Sequence, residues 1–339
     1  MTSPGSDDGL SDDGLSDGGL ADDGLADDLR ARLGKRHPVA AVATVVPGAT
    51  RIAIRGAEAD ADFEIGSLSK SLTGLLYADA VDRGEVTPDT PLGSLLPLGD
   101  GAAAGLTLAS LSTHTSGLPR LAPQSEVLRR SIRLQTRGAN PYGETLAELI
   151  EQTRQVQLAA PRARYSNLGF QLLGHGVAAA AGLSYADLLD QRLAQVLGLP
   201  SLYVPAGPGE LRPTALPGRS GRGRPREAWT GEAVGPAGGI RSSVGDLARL
   251  VAALLDGTAP GTAALDPVRR FAGPAVRIGA GWLIVTVEGR EITWHNGGTG
   301  GFCSWLGLDR AAGAGVVLVS ATAGSVDRHG MAILKGLTA

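Results

Sequence analysis

Ser67 and Lys70 stand three residues apart in the stretch Gly66-Ser-Leu-Ser-Lys70, and such a pair could do nucleophilic acyl chemistry. A serine hydroxyl attacks a carbonyl efficiently only when a base takes its proton. A desolvated lysine can be that base, because burial disfavours its charged form. Arginine could not serve, since it keeps its proton under all working conditions. The chain carries 31 basic residues, yet only Lys35, Lys70 and Lys335 are lysines. Leu68, Leu72, Leu75 and Leu76 recur at helical spacing, which predicts a helix starting at Ser67 with Lys70 at i+3 on the same face. A serine cap followed by an exposed lysine would give the same pattern, so the pair needs company.

Two later stretches could supply it. Tyr165-Ser166-Asn167 precedes a predicted helix. The Tyr165 hydroxyl can carry a proton if a neighbouring cation lowers its pKa, and the Asn167 amide offers a donor and an acceptor to Lys70 or to a substrate amide. Trp294-His295-Asn296-Gly297-Gly298 ends a predicted strand ahead of a glycine-rich turn. Glycines there let a substrate come close to the strand edge, where backbone N–H groups can bind an oxyanion.

The elements that must position these residues follow from periodicity. Helices are predicted over 25–35, 67–83, 107–113, 145–155, 167–181, 184–197, 244–256 and 327–337. Strands are predicted over 39–46, 51–55, 280–287, 291–294, 305–308 and 315–320. Strands at both ends around a helical middle predict an α/β (α+β) fold, with one antiparallel sheet built from the two chain ends and flanked by helices. The expected division is a disordered acidic tail over 1–28, a sheet lobe from 29–66 plus 273–339, and a mainly helical lobe over 67–272, with the site in the cleft between lobes. A degenerate Gly-Leu-Ser/Ala-Asp-Asp repeat runs from about Gly9 to Asp28, and residues 1–28 hold nine aspartates and no lysine or arginine. That segment alone more than accounts for the chain's net charge of −3.

Composition narrows the function classes. One cysteine, Cys303, excludes an internal disulfide, and the five histidines show no metal-ligand spacing, so no metal and no cofactor is expected. No apolar run approaches the roughly 18 residues of a membrane span, and the N-terminus has no basic region followed by an apolar core. A cytoplasmic location is the expectation, with no membrane partner. Four phenylalanines and no aromatic–basic stripe argue against a nucleic-acid partner. Arg219, Arg222, Arg224 and Arg226, and likewise Arg129, Arg130, Arg133 and Arg137, read as solvated surface or as an entrance rim for an anionic donor.

The three motifs, in this order, resemble the serine β-lactamase and penicillin-binding-protein superfamily, and within it the branch of class C β-lactamases, D,D-peptidases and serine esterases. Phe63–Lys70, Leu111–Pro119, Tyr165–Gly174, Pro236–Ile240 with Asp246–Ala248, and Gly297–Phe302 carry the resemblance, which spans roughly residues 25–339. It implies Ser67 as nucleophile, Lys70 as its partner and Tyr165 as proton shuttle. Asn167 would fix lysine and substrate, with the N–H groups of Ser67 and Gly298 forming the oxyanion hole beside His295 and Gly297. His295 departs from the family's lysine at the third motif and Asn296 from its threonine, groups that β-lactamases use to hold a substrate carboxylate. The expected function is a serine acyl-transfer enzyme. It would hydrolyse a small ester or amide, or pass the acyl group to an amine or alcohol acceptor in biosynthetic metabolism. A true β-lactamase or D,D-peptidase is the alternative, and a catalytically silent sensor is the alternative of another class.

Overall fold

The computed structural model describes residues 22–122, 138–142, 144–273 and 275–338. The Arg129–Arg137 cluster and residues 1–21 of the acidic repeat lie outside the described residues. An eight-stranded antiparallel sheet carries the fold. Its strands are β1 (Ala40–Val46), β2 (Ala49–Arg55), β7 (Arg269–Ala272), β8 (Val276–Ile278), β9 (Leu283–Val287), β10 (Arg290–Gly298), β11 (Cys303–Asp309) and β12 (Ala314–Ser320). They are ordered β2-β1-β12-β11-β10-β9-β8-β7. The first strand of the chain therefore pairs with the last, Ala40 opposite Ser320 and Val45 opposite Gly315.

Both faces of this sheet are covered, so its central strands are apolar on both sides. Ala41, Ala43, Val45, Leu306, Val317 and Val319 pack into the main core. Ala40, Val42, Trp305, Val316 and Leu318 face a second core with α1 (Asp23–Leu33) and α8 (Asp327–Leu337). This is the period-2 alternation of a strand buried on each face.

Between the sheet's two contributions run α2 (Ser69–Asp82), α3 (Leu108–Ser112), α4 (Leu146–Arg154), α5 (Asn167–Ala180), α6 (Tyr185–Leu197, with a π turn over Asp190–Ala194) and α7 (Val244–Asp256). Helix α2 is buried on every side from Ser69 to Ala80, as a central helix must be when it is apolar all round. Two short ladders were not legible beforehand: β3 (Asp62–Glu64) with β6 (Arg241–Ser243), and β4 (Gly218–Arg219) with β5 (Pro225–Arg226).

Three boundaries differ from expectation. Helix α1 starts at Asp23, capped by the Asp22 side chain on Leu25 N–H, so residues 22–28 belong to the folded chain and not to the tail. Leu25 is buried in the second core, which supplies the reason. The sheet begins again at Arg269, before the expected 273. Strand β10 runs through Gly298 and takes in the whole third motif, because Gly297 and Gly298 pair with Ser304 and Cys303. Cys303 itself is a buried strand residue.

Candidate active site

The nucleophile candidate sits where a short strand turns into a helix. Ile65 closes the β3–β6 ladder by donating its N–H to the Ile240 carbonyl, and a 3₁₀ turn over Gly66–Leu68 then feeds α2. Gly66 has φ +53, and a Cβ there would lie 2.6 Å from Gly298 N, so this position needs glycine for conformation and for clearance. Gly297 is constrained by clearance alone, with the Ile65 carbonyl occupying the place of any Cβ. Ser304 Oγ donates to that same carbonyl at 2.7 Å. The first and third motifs are thus in backbone contact.

Lys70 is fully buried on α2, with Nζ 3.1 Å from Ser67 Oγ, and Nζ donates to the Ala237 carbonyl. Burial, with the nearby Arg120 charge, holds its pKa well below the usual lysine range. No carboxylate pairs with Lys70 among the described residues, so nothing offsets that desolvation with a counter-charge. The amine is the form this environment favours. Ala237 comes from the turn Gly235–Gly239, which is clamped to α2 by Thr73 Oγ1 donating to the Pro236 carbonyl at 2.7 Å.

Tyr165 joins this pair: Lys70 Nζ lies 4.9 Å from its ring centre, and the Ser67 hydroxyl hydrogen-bonds its phenol. The expectation of a lowered tyrosine pKa is corrected here. Burial outweighs the Ser67 hydrogen bond and the Arg120 charge and pushes the phenol up to about 12. Tyr165 is therefore a neutral hydroxyl at rest. Ser166 caps α5, accepting from Gly169 N–H and donating to the Pro119 carbonyl, which fixes the turn that presents its neighbours.

Asn167 corrects a second expectation. Its Oδ1 has no hydrogen-bond partner among the described residues and does not hold Lys70; the Ala237 carbonyl does that. Asn167 Nδ2 donates to Tyr142 OH at 3.2 Å. The Tyr142 ring meets the Trp229 ring edge-on at 4.8 Å, and Trp229 Nε1 is likewise buried without a partner. An orphan acceptor and an orphan donor therefore flank Tyr142.

His295 is buried in β10, with Nδ1 against the Asn296 carbonyl at 2.6 Å. Burial, and then the Lys70 charge, lowers its pKa to about 3, so it is a neutral ring at any ordinary pH. Asn296 turns away and donates to Asp327 at 2.7 Å.

Sequence reasoning missed three contributors. The Ala237 carbonyl is backbone and leaves no side-chain signature. His114, in the left-handed region at φ +56, accepts the Ser166 N–H at 3.2 Å and stacks on Tyr165 at 4.6 Å. Its signal in the sequence is the stretch Leu111–Pro119. Arg120, exposed at the end of the same stretch, sits 5.6 Å from the Tyr165 ring centre and has no carboxylate partner among the described residues. Of the arginine cluster, Arg222 and Arg224 are exposed at the β4–β5 turn.

A half-buried serine on a fully buried lysine, a tyrosine on the serine and a glycine strand edge beside them can form and break an acyl ester. The chain matches the β-lactamase family over residues 25–339. It belongs to the β-lactamase family. The D-alanyl-D-alanine-carboxypeptidase/endopeptidase AmpH of Escherichia coli is 27% identical to it over 271 residues, 74% of this chain and 68% of that protein. Penicillin-binding protein 4 of Amycolatopsis lactamdurans is 28% identical over 300 residues, 79% of this chain and 73% of that one. Among solved structures, a class C β-lactamase from Rhodobacter sphaeroides superposes with a TM-score of 0.77 at 22% identity, covering 94% of this chain and 99% of the other. The D-alanine carboxypeptidase AmpC from Burkholderia cenocepacia gives 0.77 at 23%, covering 93% and 99%. These β-lactamase-family relatives are serine hydrolases, and their fold is the one described above.

Proposed function

We propose that this β-lactamase-family protein forms an acyl ester on Ser67. The ester is then discharged to water, or to an amine or alcohol acceptor in a biosynthetic setting in the cytoplasm. The observation that carries the reading is Lys70 Nζ at 3.1 Å from Ser67 Oγ, fully buried and unpaired with any carboxylate among the described residues. In the proposed cycle the Lys70 amine takes the Ser67 proton as Oγ attacks the donor carbonyl. The oxyanion is held by the N–H groups of Ser67 and Gly298, one such donor contributing about 3 kcal/mol. The proton then passes through Tyr165 OH to the leaving alcohol or amine, and the reverse path activates the acceptor.

Neutral His295 and exposed Arg120 support a finer reading of the donor. The third motif supplies no cation for a leaving-group carboxylate, which favours short neutral esters over penicillins and cephalosporins. Asn167 Oδ1 and Trp229 Nε1 could satisfy the N–H and the C=O of a donor amide. Arg120 offers a charge to a donor with an anionic acyl arm.

Incubation with a p-nitrophenyl ester or a fluorophosphonate, followed by intact mass and peptide mapping, should place one adduct on Ser67. Equal labelling of Ser67→Ala would remove the assignment, and an unlabelled wild-type chain would return the silent sensor. Robust cephalosporin or D-alanyl-D-alanine turnover would instead give the β-lactamase or D,D-peptidase reading, which the named relatives keep in view. An acceptor screen on the labelled enzyme separates hydrolysis from transfer.

A further inference from the structure

A polar cavity of about 320 Å³ opens at the ends of β12 and β1, apart from the candidate active site. Gly298, Cys303, Ser320 and Ala40 are successive partners across the sheet, so this cavity lies beyond β11, on the order of 10 Å from the third motif at one strand spacing per step. None of the residues assigned to acyl chemistry lines it.

Its wall is basic. Arg32, Arg36 and Arg328 line it with His37 and His329, and no aspartate or glutamate does. Arg32 is matched by Asp28 at 2.6 Å. Arg36 and Arg328 are exposed, and neither has a carboxylate partner among the described residues. Asp327, the acidic residue of the neighbouring turn, is engaged by Asn296. Both histidines are held below their ordinary pKa, by burial first and by neighbouring cations next, so they add polar ring nitrogens without adding charge. His37 Nδ1 lies 2.9 Å from Ser320 Oγ, whose own hydrogen goes to the Val39 carbonyl, so Nδ1 is the donor, and the Cε1–Nε2 edge of the ring lies beside Gly324.

Two further features point to a ligand. Thr322 lines the cavity, is buried, and its Oγ1 has no partner among the described residues. A buried hydroxyl left unpaired is destabilising, and an acceptor oxygen in the cavity would relieve it. The N-terminal turn of the 11-residue α8 also forms part of the rim, and its dipole favours negative charge.

We propose that this cavity is a binding site for a small phosphate-type dianion, with Arg36 and Arg328 as its two charge partners and Thr322 Oγ1 as a donor. Two unmatched guanidiniums match a charge of about −2, whereas one carboxylate would leave one of them unpaired. The forked N–H donors of arginine suit tetrahedral oxyanions. The volume lies at the small end for ligand cavities, enough for a phosphate head group with a short substituent.

Isothermal titration of the full chain with inorganic phosphate, and separately with acetate at matched ionic strength, tests this. Phosphate should bind saturably in the millimolar range or tighter, and at least tenfold better than acetate. Arg36→Gln and Arg328→Gln should each weaken phosphate about tenfold and the double variant should abolish it, with ester hydrolysis unchanged. The phosphate-induced rise in melting temperature should vanish in the double variant while its ligand-free melting temperature stays near wild type. Thr322→Val should weaken phosphate severalfold without changing acetate. Absence of saturable binding, equal affinity for acetate, or undiminished binding in the double variant would each overturn the site.

Discussion

Gly66 and Gly298 meet backbone to backbone: a Cβ on Gly66 would lie 2.6 Å from Gly298 N. One residue precedes the nucleophile candidate and the other ends the third motif, so their contact sets how far Ser67 stands from the strand edge. Gly66→Ala must both hold φ near +53 and push this strand away. The conformation alone costs about 1–2 kcal/mol. We expect a lower melting temperature and a loss of kcat of at least a hundredfold, because a misplacement of about 1 Å is enough for that. Circular dichroism melts and ester kinetics on the same preparation check it, and near-normal kcat would show that the contact does not set the geometry.

Lys70 gives the acid limb of the pH profile. Its pKa is lowered by burial, so the amine is the resting form, and activity should fall as pH drops through that lowered pKa and the amine becomes ammonium. Lys70→Arg should lose activity nearly as fully as Lys70→Ala, about 10² to 10⁴ in kcat/KM, since arginine releases no proton. An arginine variant with most of its kcat would mean that Lys70 acts by charge alone.

His295 should contribute no inflection near its ordinary pKa, because burial has moved its titration to about 3. His295→Lys should tighten carboxylate-bearing ligands, read as a lower KM or Ki for anionic donors beside little change for neutral esters. An inflection near 6.5 that vanishes in His295→Gln would contradict the neutral ring.

Arg120→Gln should raise KM for a p-nitrophenyl succinate monoester about tenfold and leave p-nitrophenyl acetate within twofold. The guanidinium lies near Tyr165 without a carboxylate partner among the described residues, so an anionic acyl arm is what would miss it. Equal effects on both esters would assign Arg120 to the Tyr165 environment instead.

Truncation tests the first helix. A chain beginning at Asp22 keeps the Asp22 cap on α1 and its ion pair with Arg51, whereas one beginning at Leu29 loses both and Leu25 as well. Burial of one leucine is worth about 1.5–3 kcal/mol and a helix cap about 1 kcal/mol. Thermal melts should separate the two chains by several degrees, and identical melting would show that α1 adds nothing to the sheet.

The longer elements were legible because local signals agreed. Helices α5 and α7 were bounded within a residue, their starts marked by Ser166 and Ser243 as caps and the end of α7 by Gly257 in the left-handed region. Strands β3 and β6 were not legible, since each is three residues long and carries charged residues, Asp62 and Glu64 in one and Arg241 in the other. In the fold Arg241 is buried against both carboxylates, and this pairing has no local signature. At the site, the residue types of Ser67, Lys70 and Tyr165 and their order were readable. The protonation of Tyr165, the partner of Lys70 and the orphaned Asn167 oxygen depend on burial and on backbone atoms distant in sequence.

Strand β1, the first of the sheet in sequence, and β12, the last, are neighbours, although about 280 residues of chain separate the partners Ala40 and Ser320. During synthesis, the middle of the sheet has no partner for β1 until nearly the whole chain has emerged. Ser67 and Lys70 are made early, but the strand that must lie against them, Arg290–Gly298, comes late. A nascent or truncated chain therefore carries the nucleophile without a working site, and maturation waits on a long-range closure of the kind that folds slowly.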